Sequence, residues 1–295
     1  MSRETNMTCG YALVLMAALC AALVCTAMPT VAMQAPLDLR GAVIVVRHGA
    51  DAPPVERTAA TVLAEEIESR TGIRWRVATD WPKSGWAVGI ISGSAPSLHG
   101  RRPPERAVPA AAEGFAVITH MSAAQRPVVW IVGADPRGAL FGVGKLLRIL
   151  EMRRGVIESA APLDIKEAPV RAIRGHQLGY RATANSYDAW MPEQYDRYIR
   201  ELALFGTNAI ENIPGQDERP TVSSFPRSKM NVEISRICGK YGLDHWIWTP
   251  ASFDLKDGAR RTAALDYYEK LYKELPVLTD VFVPGGDPGP TIPTW

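Results

Sequence analysis

The sequence predicts an α/β protein in which a small α/β domain is followed by a segment of a (β/α) barrel. Three observations predict this class. Short runs of β-branched residues, typical of buried strands, alternate with longer segments whose apolar residues recur at helical spacing. From residue 169 onward the alternation becomes regular, as in parallel strands joined by helical crossovers. The composition, 47% hydrophobic and 22% charged residues, is that of a globular protein with a sizeable core.

The chain divides into three regions, residues 1–35, 36–168 and 169–295. The first is predicted to be a signal peptide, because an uncharged apolar run over residues 11–28 is followed by small residues at the spacing of a signal-peptidase site. The competing interpretation is a transmembrane anchor, since the run is near the minimum of ~18 residues for a spanning helix. We expect cleavage, and therefore a secreted or periplasmic protein that has no membrane segment after maturation.

The charge balance argues against a nucleic-acid partner. Lys and Arg total 33 against 31 Asp and Glu, a formal net charge of +2, whereas polyanion-binding proteins are usually strongly basic. The five histidines show no short ligand spacing with each other or with cysteine, so neither a metal nor another cofactor is expected. The sequence does not define an oligomeric state.

Cysteine usage predicts a mature protein without disulfides. Three of the four cysteines lie in the leader, so Cys238 is the single cysteine of the mature chain and has no intrachain partner. Because Cys238 falls in the apolar row of a predicted helix, we expect a buried thiol rather than a nucleophile.

The elements of the small domain follow from periodicity and capping. Residues 41–46 are a continuous β-branched run and predict a buried strand. One helix is predicted to begin at Pro53-Pro54 and to end at Gly72, and a second to begin at Asp135-Pro136. Further strands are predicted over residues 75–79, 87–93, 115–119 and 128–132, and an exposed loop over the Pro- and Arg-rich residues 96–109.

The region from residue 169 predicts four strands with three intervening helices. The helices are expected to begin at Met191-Pro192, to span residues 230–241, and to lie within residues 258–275. A complete eight-stranded barrel takes roughly 250 residues, so we expect a barrel truncated after the fourth strand. An open four-stranded α/β sheet is the alternative. The predicted strands span residues 170–178, 208–213, 243–249 and 281–284.

Several motifs are similar to those of secreted glycoside hydrolases. They are Glu113-Gly-Phe-Ala-Val-Ile118, a strand with a Gly/Ala-rich turn and a helix over residues 129–147, and Val170-Arg-Ala-Ile-Arg-Gly175. In this layout the chain resembles the beta-N-acetylhexosaminidases of glycoside hydrolase family 20 and the alpha-glucuronidases of family 67, in which a small α/β domain precedes a (β/α) barrel. The resemblance covers nearly all of the mature chain and implies a carbohydrate as the substrate.

The sequence Gly285-Gly286-Asp287-Pro288 bears on catalysis. Family 20 enzymes carry His-x-Gly-Gly-Asp-Glu at the end of the fourth barrel strand, where the Asp orients the substrate's acetamido group and the Glu is the general acid. The resemblance therefore implies that Asp287 is catalytic. Pro288 stands in the position of the acid and cannot donate a proton. The competing interpretation of Asp287 is a turn former.

Glycoside cleavage generally needs two carboxyl groups, so Asp287 requires a partner. Glu211, near the end of the second strand, is the first candidate, and Asp254, after the third strand, is another. Trp248 shares a strand face with Trp246 and offers a flat apolar surface for a sugar ring. The competing interpretation of each of these residues is a structural role in the core or in a turn. Further candidate sugar-binding residues at the strand ends are His176, Gln177, Tyr180 and Asn212.

Three functions are weighed on these observations. The first is an exported glycosidase that removes a terminal N-acetylhexosamine or uronic acid by acid/base chemistry, without a cofactor. The second is a non-catalytic relative that binds glycans or has no activity. The third is a phosphatase, because Arg47-His48-Gly49 resembles the signature of the histidine phosphatases, although neither His99 nor His120 has the sequence context of their second histidine. The competing interpretation of this motif is a turn at a strand end.

Overall fold

A computed structural model describes residues 35–94, 96–123, 125–178, 186–213, 223–250, 254 and 256–284. From Pro36 onward these residues form one compact unit. Residues 1–34 of the predicted leader lie outside them. Within the part of the chain that is described, no helix combines the length and the apolar character needed to cross a bilayer.

A six-stranded mixed sheet organises the first half of the chain, with strand order β3-β2-β4-β6-β5-β9. The first four strands in this order are parallel, while β5 is antiparallel to both β6 and β9. Its members are β2 (Val43–Val45), β3 (Arg76–Ala78), β4 (Ala87–Ser92), β5 (Phe115–Ser122), β6 (Gln125–Gly133) and β9 (Asp164–Glu167).

Two helices, α1 (Pro54–Thr71) and α2 (Pro136–Ile149), pack on one face of this sheet. Their ends are set by the residues that the sequence predicts. Gly72 ends α1 in the left-handed conformation with φ +72°, which a residue without a Cβ adopts at little cost. The Asp135 side chain caps α2 by accepting a hydrogen bond of 2.8 Å from the Gly138 amide.

The loop of residues 96–109 covers the other face of the sheet, so the prediction that it is exposed is wrong in part. Leu98 and Ala107 are completely buried against strand residues such as Trp130. The Trp81 indole fixes the loop by donating a hydrogen bond of 3.2 Å to the Leu98 carbonyl oxygen. A sheet buried on both faces needs a second apolar cover, and two apolar residues among many Pro and Arg residues supply it here.

A three-stranded antiparallel sheet completes the first half and is not predicted from the sequence. It consists of β1 (Leu37–Asp38), β8 (Val156–Ser159) and β7 (Glu151–Arg153) in that order. Strands of two to four residues are too short to show a periodicity of two, which explains the omission.

The second half forms a four-stranded parallel sheet in chain order, as in a (β/α) barrel. The first strand begins at Gly175 rather than at residue 170, where prediction put it. Val170 is 94% exposed and lies in an irregular approach to the sheet. The strands are β10 (Gly175–Leu178), β11 (Ala209–Asn212), β12 (Asp244–Trp248) and β13 (Asp280–Phe282), and the helices are α3 (Pro192–Leu204), α4 (Arg227–Tyr241) and α5 (Gly258–Glu274).

One apolar core runs through both halves. Buried residues of α1 and α2, such as Leu63 and Leu147, belong to the same cluster as Ile199 of α3 and Tyr241 of α4. Gly144 allows α2 to approach the end of α3 closely, because a Cβ at this position would lie 2.0 Å from the Leu204 carbonyl oxygen. The helices of the first half are therefore packed directly on the helices of the second.

Candidate functional site

The two faces of the second sheet differ in their surroundings. Side chains alternate between the faces along each strand. One set, represented by Leu178, Ile210 and Ile247, is buried beneath the helices. The described helices cover this face, and we call the opposite face of the sheet the open face.

A row of side chains crosses the open face in register. Gln177 pairs with Glu211, Glu211 with Trp246, and Trp246 with Asp280. Gln177, Glu211 and Trp246 are partly buried, while Asp280 is exposed. Trp248 lies on the same face one pleat further along β12. The structure thus brings together three of the residues considered from sequence, Gln177, Glu211 and Trp248.

Glu211 and Gln177 interact directly. Gln177 Nε2 donates a hydrogen bond of 3.1 Å to Glu211 Oε1. Burial raises the pKa of Glu211 above its usual value, and the hydrogen bond from Gln177 opposes this shift. A carboxyl group with a raised pKa keeps its proton to higher pH, which is a property of general acids.

The two tryptophans form an apolar wall beside Glu211. The Trp246 indole N–H is shielded from solvent and has no hydrogen-bond partner among the described residues. A buried donor without an acceptor costs free energy, so a hydroxyl or carbonyl oxygen arriving on this face would be stabilised there. Sequence reasoning favoured core packing for Trp246. The spacing of two positions between Trp246 and Trp248 in the strand predicts that both indoles lie on the same face.

Asp280 was not considered from the sequence, yet it lies in the same row as Glu211. Two strand spacings separate the residues, which corresponds to roughly 10 Å between their backbones. No local pattern distinguishes Asp280, because its position in the row depends on the register of β12 and β13.

His176 and Asn212 project to the helix-covered face. His176 Nε2 lies 3.1 Å from the Tyr198 hydroxyl oxygen on α3, and burial lowers the pKa of its imidazole. Asn212 Nδ2 donates a hydrogen bond of 2.9 Å to Asn231 Oδ1 on α4. Both side chains connect the sheet to its helices, and they are not brought together with Glu211.

His245 extends the Asn212 cluster behind the sheet. It is completely buried, its Nε2 contacts Asn212 Oδ1, and its Nδ1 lies 2.8 Å from the Val277 carbonyl oxygen. Burial lowers its pKa to about 4. This arrangement fixes the carboxyl end of β11, and therefore the backbone next to Glu211.

The remaining predicted site residues lie elsewhere. Tyr180 and Asp287 fall outside the described residues. Asp254 is exposed and its Oδ1 accepts a hydrogen bond from the Lys256 amide, the local bond of a turn. Cys238 is buried as predicted, and burial raises the pKa of its thiol.

A second cluster lies in the first half of the chain. The rings of His48 and His99 meet edge to face, with centroids 4.6 Å apart. The contact of His99 with the Arg47-His48 motif is not predictable from the sequence, because it joins two loops 51 positions apart. Across the described ranges, no three His, Cys, Asp or Glu side chains converge as a metal site.

Comparisons by sequence give no relative, since no protein-family model and no curated protein matches the chain. Solved structures do match. A GH20 beta-N-acetylhexosaminidase from Streptomyces coelicolor A3(2) has 18% identity over 74% of this chain, with a TM-score of 0.50. CpGH84B has 16% identity over 85% of this chain, with a TM-score of 0.53. The GH115 4-O-methyl-alpha-glucuronidase BtGH115A has 12% identity over 84%, with a TM-score of 0.59.

These likenesses show the fold alone. The chain has a glycoside-hydrolase-like fold, a small α/β domain followed by parallel strands of a (β/α) barrel, and the matches span three glycoside hydrolase families. The chain covers 44%, 42% and 36% of the lengths of these three structures.

Proposed function

We propose that this chain is an exported glycoside hydrolase-type protein that holds a terminal sugar, an N-acetylhexosamine or a uronic acid, on the open face of its second sheet. The observation that carries the proposal is the hydrogen-bonded pair of Gln177 and Glu211 beside Trp246. The three similar solved structures support it, because they are proteins of the GH20, GH84 and GH115 glycoside hydrolase families.

Glu211 acts as the general acid in this proposal. Glycoside cleavage needs a proton on the leaving-group oxygen, and the raised pKa of Glu211 favours the protonated carboxyl. Gln177 occupies Oε1, which leaves Oε2 to carry the proton toward the substrate. The assignment also accounts for Pro288, since the acid expected at that position has to come from another strand.

The second carboxyl group is Asp287 by its resemblance to the family 20 motif, and Asp280 is the alternative by its place in the row with Glu211. A separation of about 5–5.5 Å between the two carboxyl groups leads to retention, and about 6.5–9.5 Å to inversion. The variants Asp287→Asn and Asp280→Asn distinguish the two, because loss of the true partner lowers kcat by about 100-fold or more.

Trp246 and Trp248 supply the binding surface. The flat indole faces stack on the apolar C–H face of a sugar ring, and the Trp246 N–H donates to a hydroxyl or acetamido oxygen. Gln177 binds a hydroxyl group beside Glu211, and Tyr180 is a further hydroxyl-binding residue in this proposal by its place in the sequence after β10. His176 and Asn212 support the strands from behind and do not touch the sugar.

A non-catalytic glycan-binding protein is the second candidate. Pro288 favours it, because this residue replaces the acid of the family 20 motif. Both candidates predict binding of sugars at the tryptophans, and only the first predicts turnover.

The test is hydrolysis of 4-nitrophenyl glycosides of N-acetylglucosamine, N-acetylgalactosamine and glucuronic acid by the purified protein. We expect turnover of at least one, lowered about 100-fold or more in Glu211→Gln and unchanged in the control Glu269→Gln, an exposed carboxylate on α5. Sugar binding without turnover supports the second candidate. Neither binding nor turnover contradicts both.

A further inference from the structure

The carboxyl ends of β2 and β4 in the first sheet lie at a topological switch point, which we call the crevice. The chain leaves β2 through α1 to reach β3 on one side, and then returns to β4 on the other side of β2. Crevices at such switch points are where open parallel sheets hold ligands. The residues that follow the two strands are Arg47 and His48 after β2 and the loop from Gly93 after β4.

Two imidazole rings line this crevice. His99 Nε2 lies 2.7 Å from the Val46 carbonyl oxygen and donates to it, because a carbonyl can only accept. This bond fixes the ring and leaves Nδ1 as the atom available to a ligand. The His48 ring packs edge to face on His99, is exposed, and has no hydrogen bond with any described residue.

A guanidinium group lies at the base of the crevice. Arg47 Nη2 donates a hydrogen bond of 2.5 Å to the Ser92 carbonyl oxygen and lies 3.2 Å from Glu56 Oε1. Glu56 is completely buried, and its Oε2 has no partner among the described residues. The Glu56 carboxyl thus fixes Arg47 at the strand ends, and the Arg47 charge offsets the Glu56 charge so that it does not repel an anion.

Further positive charge lies in the first turn of α1 and in the loop after β4. Arg57 donates to the Gly49 carbonyl oxygen at 3.0 Å and stabilises the turn that follows His48. Arg101 lies over the Trp81 ring, 4.5 Å from its centroid, and Arg102 is next to it in sequence. The acidic residues of the two loops are Asp51, Glu105 and Glu113, and the arginines of the same loops, Arg47, Arg101, Arg102 and Arg106, outnumber them by one.

We propose that this crevice binds a small oxyanion of the phosphate or sulfate type through His48, His99 and Arg47. Imidazole and guanidinium N–H groups donate charge-assisted hydrogen bonds to oxyanions, and three donors from two loops surround such a group. The proposal is independent of the sugar site on the open face.

The position of the crevice separates it from the sugar site. Val55, in the first turn of α1, packs against Gly242, which follows α4 and lies two residues before β12. The carboxyl ends of the first sheet therefore lie toward the amino ends of the second sheet. Glu211 lies near the opposite, carboxyl ends.

The experiment is calorimetric titration of the full chain with inorganic phosphate and, separately, with sodium sulfate. We expect one saturable site for at least one of the anions. The variants His48→Ala and His99→Ala weaken its affinity about 10-fold each, whereas the control His120→Ala, on β5 outside both loops, leaves it unchanged.

Imidazole nitrogen NMR keeps the test valid if a variant unfolds. In the unmodified chain, phosphate or sulfate shifts the ring signals of His48 and His99, while those of His176 and His245 stay constant. Binding of phosphate alone or of sulfate alone supports the proposal and identifies the anion. No binding of either anion, or unchanged affinity in both variants, overturns it.

Discussion

The Arg174 guanidinium donates from Nη2 to Glu113 Oε2 at 2.5 Å and thereby joins the two sheets of the protein. Glu113 precedes β5, and Arg174 precedes β10. The same carboxylate accepts hydrogen bonds from Arg137 of α2 at 2.7 Å and from Asn208 at 3.1 Å. Arg137 also pairs with Asp244 at the start of β12, so this network aligns the amino ends of three strands of the second sheet.

Glu113→Gln is expected to lower the free energy of unfolding by about 2 kcal/mol at neutral pH, because it removes a largely buried charge that offsets two guanidinium groups. Chemical denaturation measures the loss. The control Glu201→Gln, an exposed carboxylate on α3, leaves the stability within about 0.5 kcal/mol of the wild type.

The same network predicts a dependence of stability on acid. Burial alone would raise the pKa of Glu113, but hydrogen bonds from Arg174, Asn208 and Arg137 lower it below its usual value. A carboxylate with a lowered pKa in the folded state stabilises the protein above its unfolded pKa, and this contribution disappears as the pH falls through the folded value. Between about pH 5 and pH 3, the free energy of unfolding therefore falls more steeply with falling pH in the wild type than in Glu113→Gln. Equal slopes would contradict this assignment.

His245 gives a second, separable pH dependence. Burial lowers its pKa to about 4, whereas an unfolded histidine titrates near 6.5. The unfolded state therefore binds more protons below pH ~6.5, and stability falls by about 3 kcal/mol as the pH drops from there to about 4. We expect His245→Gln to be less stable at neutral pH and to lose much of this slope, as measured by denaturation at a series of pH values.

Glu211→Gln is expected to stabilise the protein slightly while it removes activity. Burial raises the pKa of Glu211, so the carboxylate form is disfavoured in the folded state at neutral pH. A neutral amide avoids that cost, and we expect a melting temperature about 1 °C higher at pH ~7. A lower melting temperature would mean that Glu211 is a structural residue rather than a strained site residue.

The Cys238 thiol is expected to be unreactive in the folded protein. It is completely buried, and burial raises the pKa of the thiol, so little thiolate forms. Alkylation with iodoacetamide followed by peptide mass mapping should label Cys238 only after denaturant is added. Labelling of Cys238 under native conditions would contradict the buried-thiol assignment.

Local signals made much of this fold predictable. Gly72, Asp135 and Gly242 mark helix ends by their own conformational and hydrogen-bonding preferences, and each is found at the end of the helix predicted for it. The burial of Leu98 and Ala107 was not predictable in this way, because it depends on which sheet face the loop covers.

In the candidate site too, features set by local sequence were predictable, and features set by tertiary packing were not. Alternation in β12 was enough to assign Trp246 and Trp248 to one face. The sequence did not predict that Gln177 contacts Glu211, that Asp280 joins their row, or that His99 meets His48, because each depends on strand register or loop packing.

Binding of a sugar on the open face beside Glu211 is tested most directly by the indole N–H signals in NMR spectra. With Trp246→Phe and Trp248→Phe to assign the two signals, N-acetylglucosamine or glucuronic acid is titrated into the unmodified protein. We expect saturable shifts of the Trp246 and Trp248 signals, with those of the buried Trp75 and Trp130 unchanged. Saturating shifts confined to other tryptophans, or none with either sugar, would contradict binding on this face.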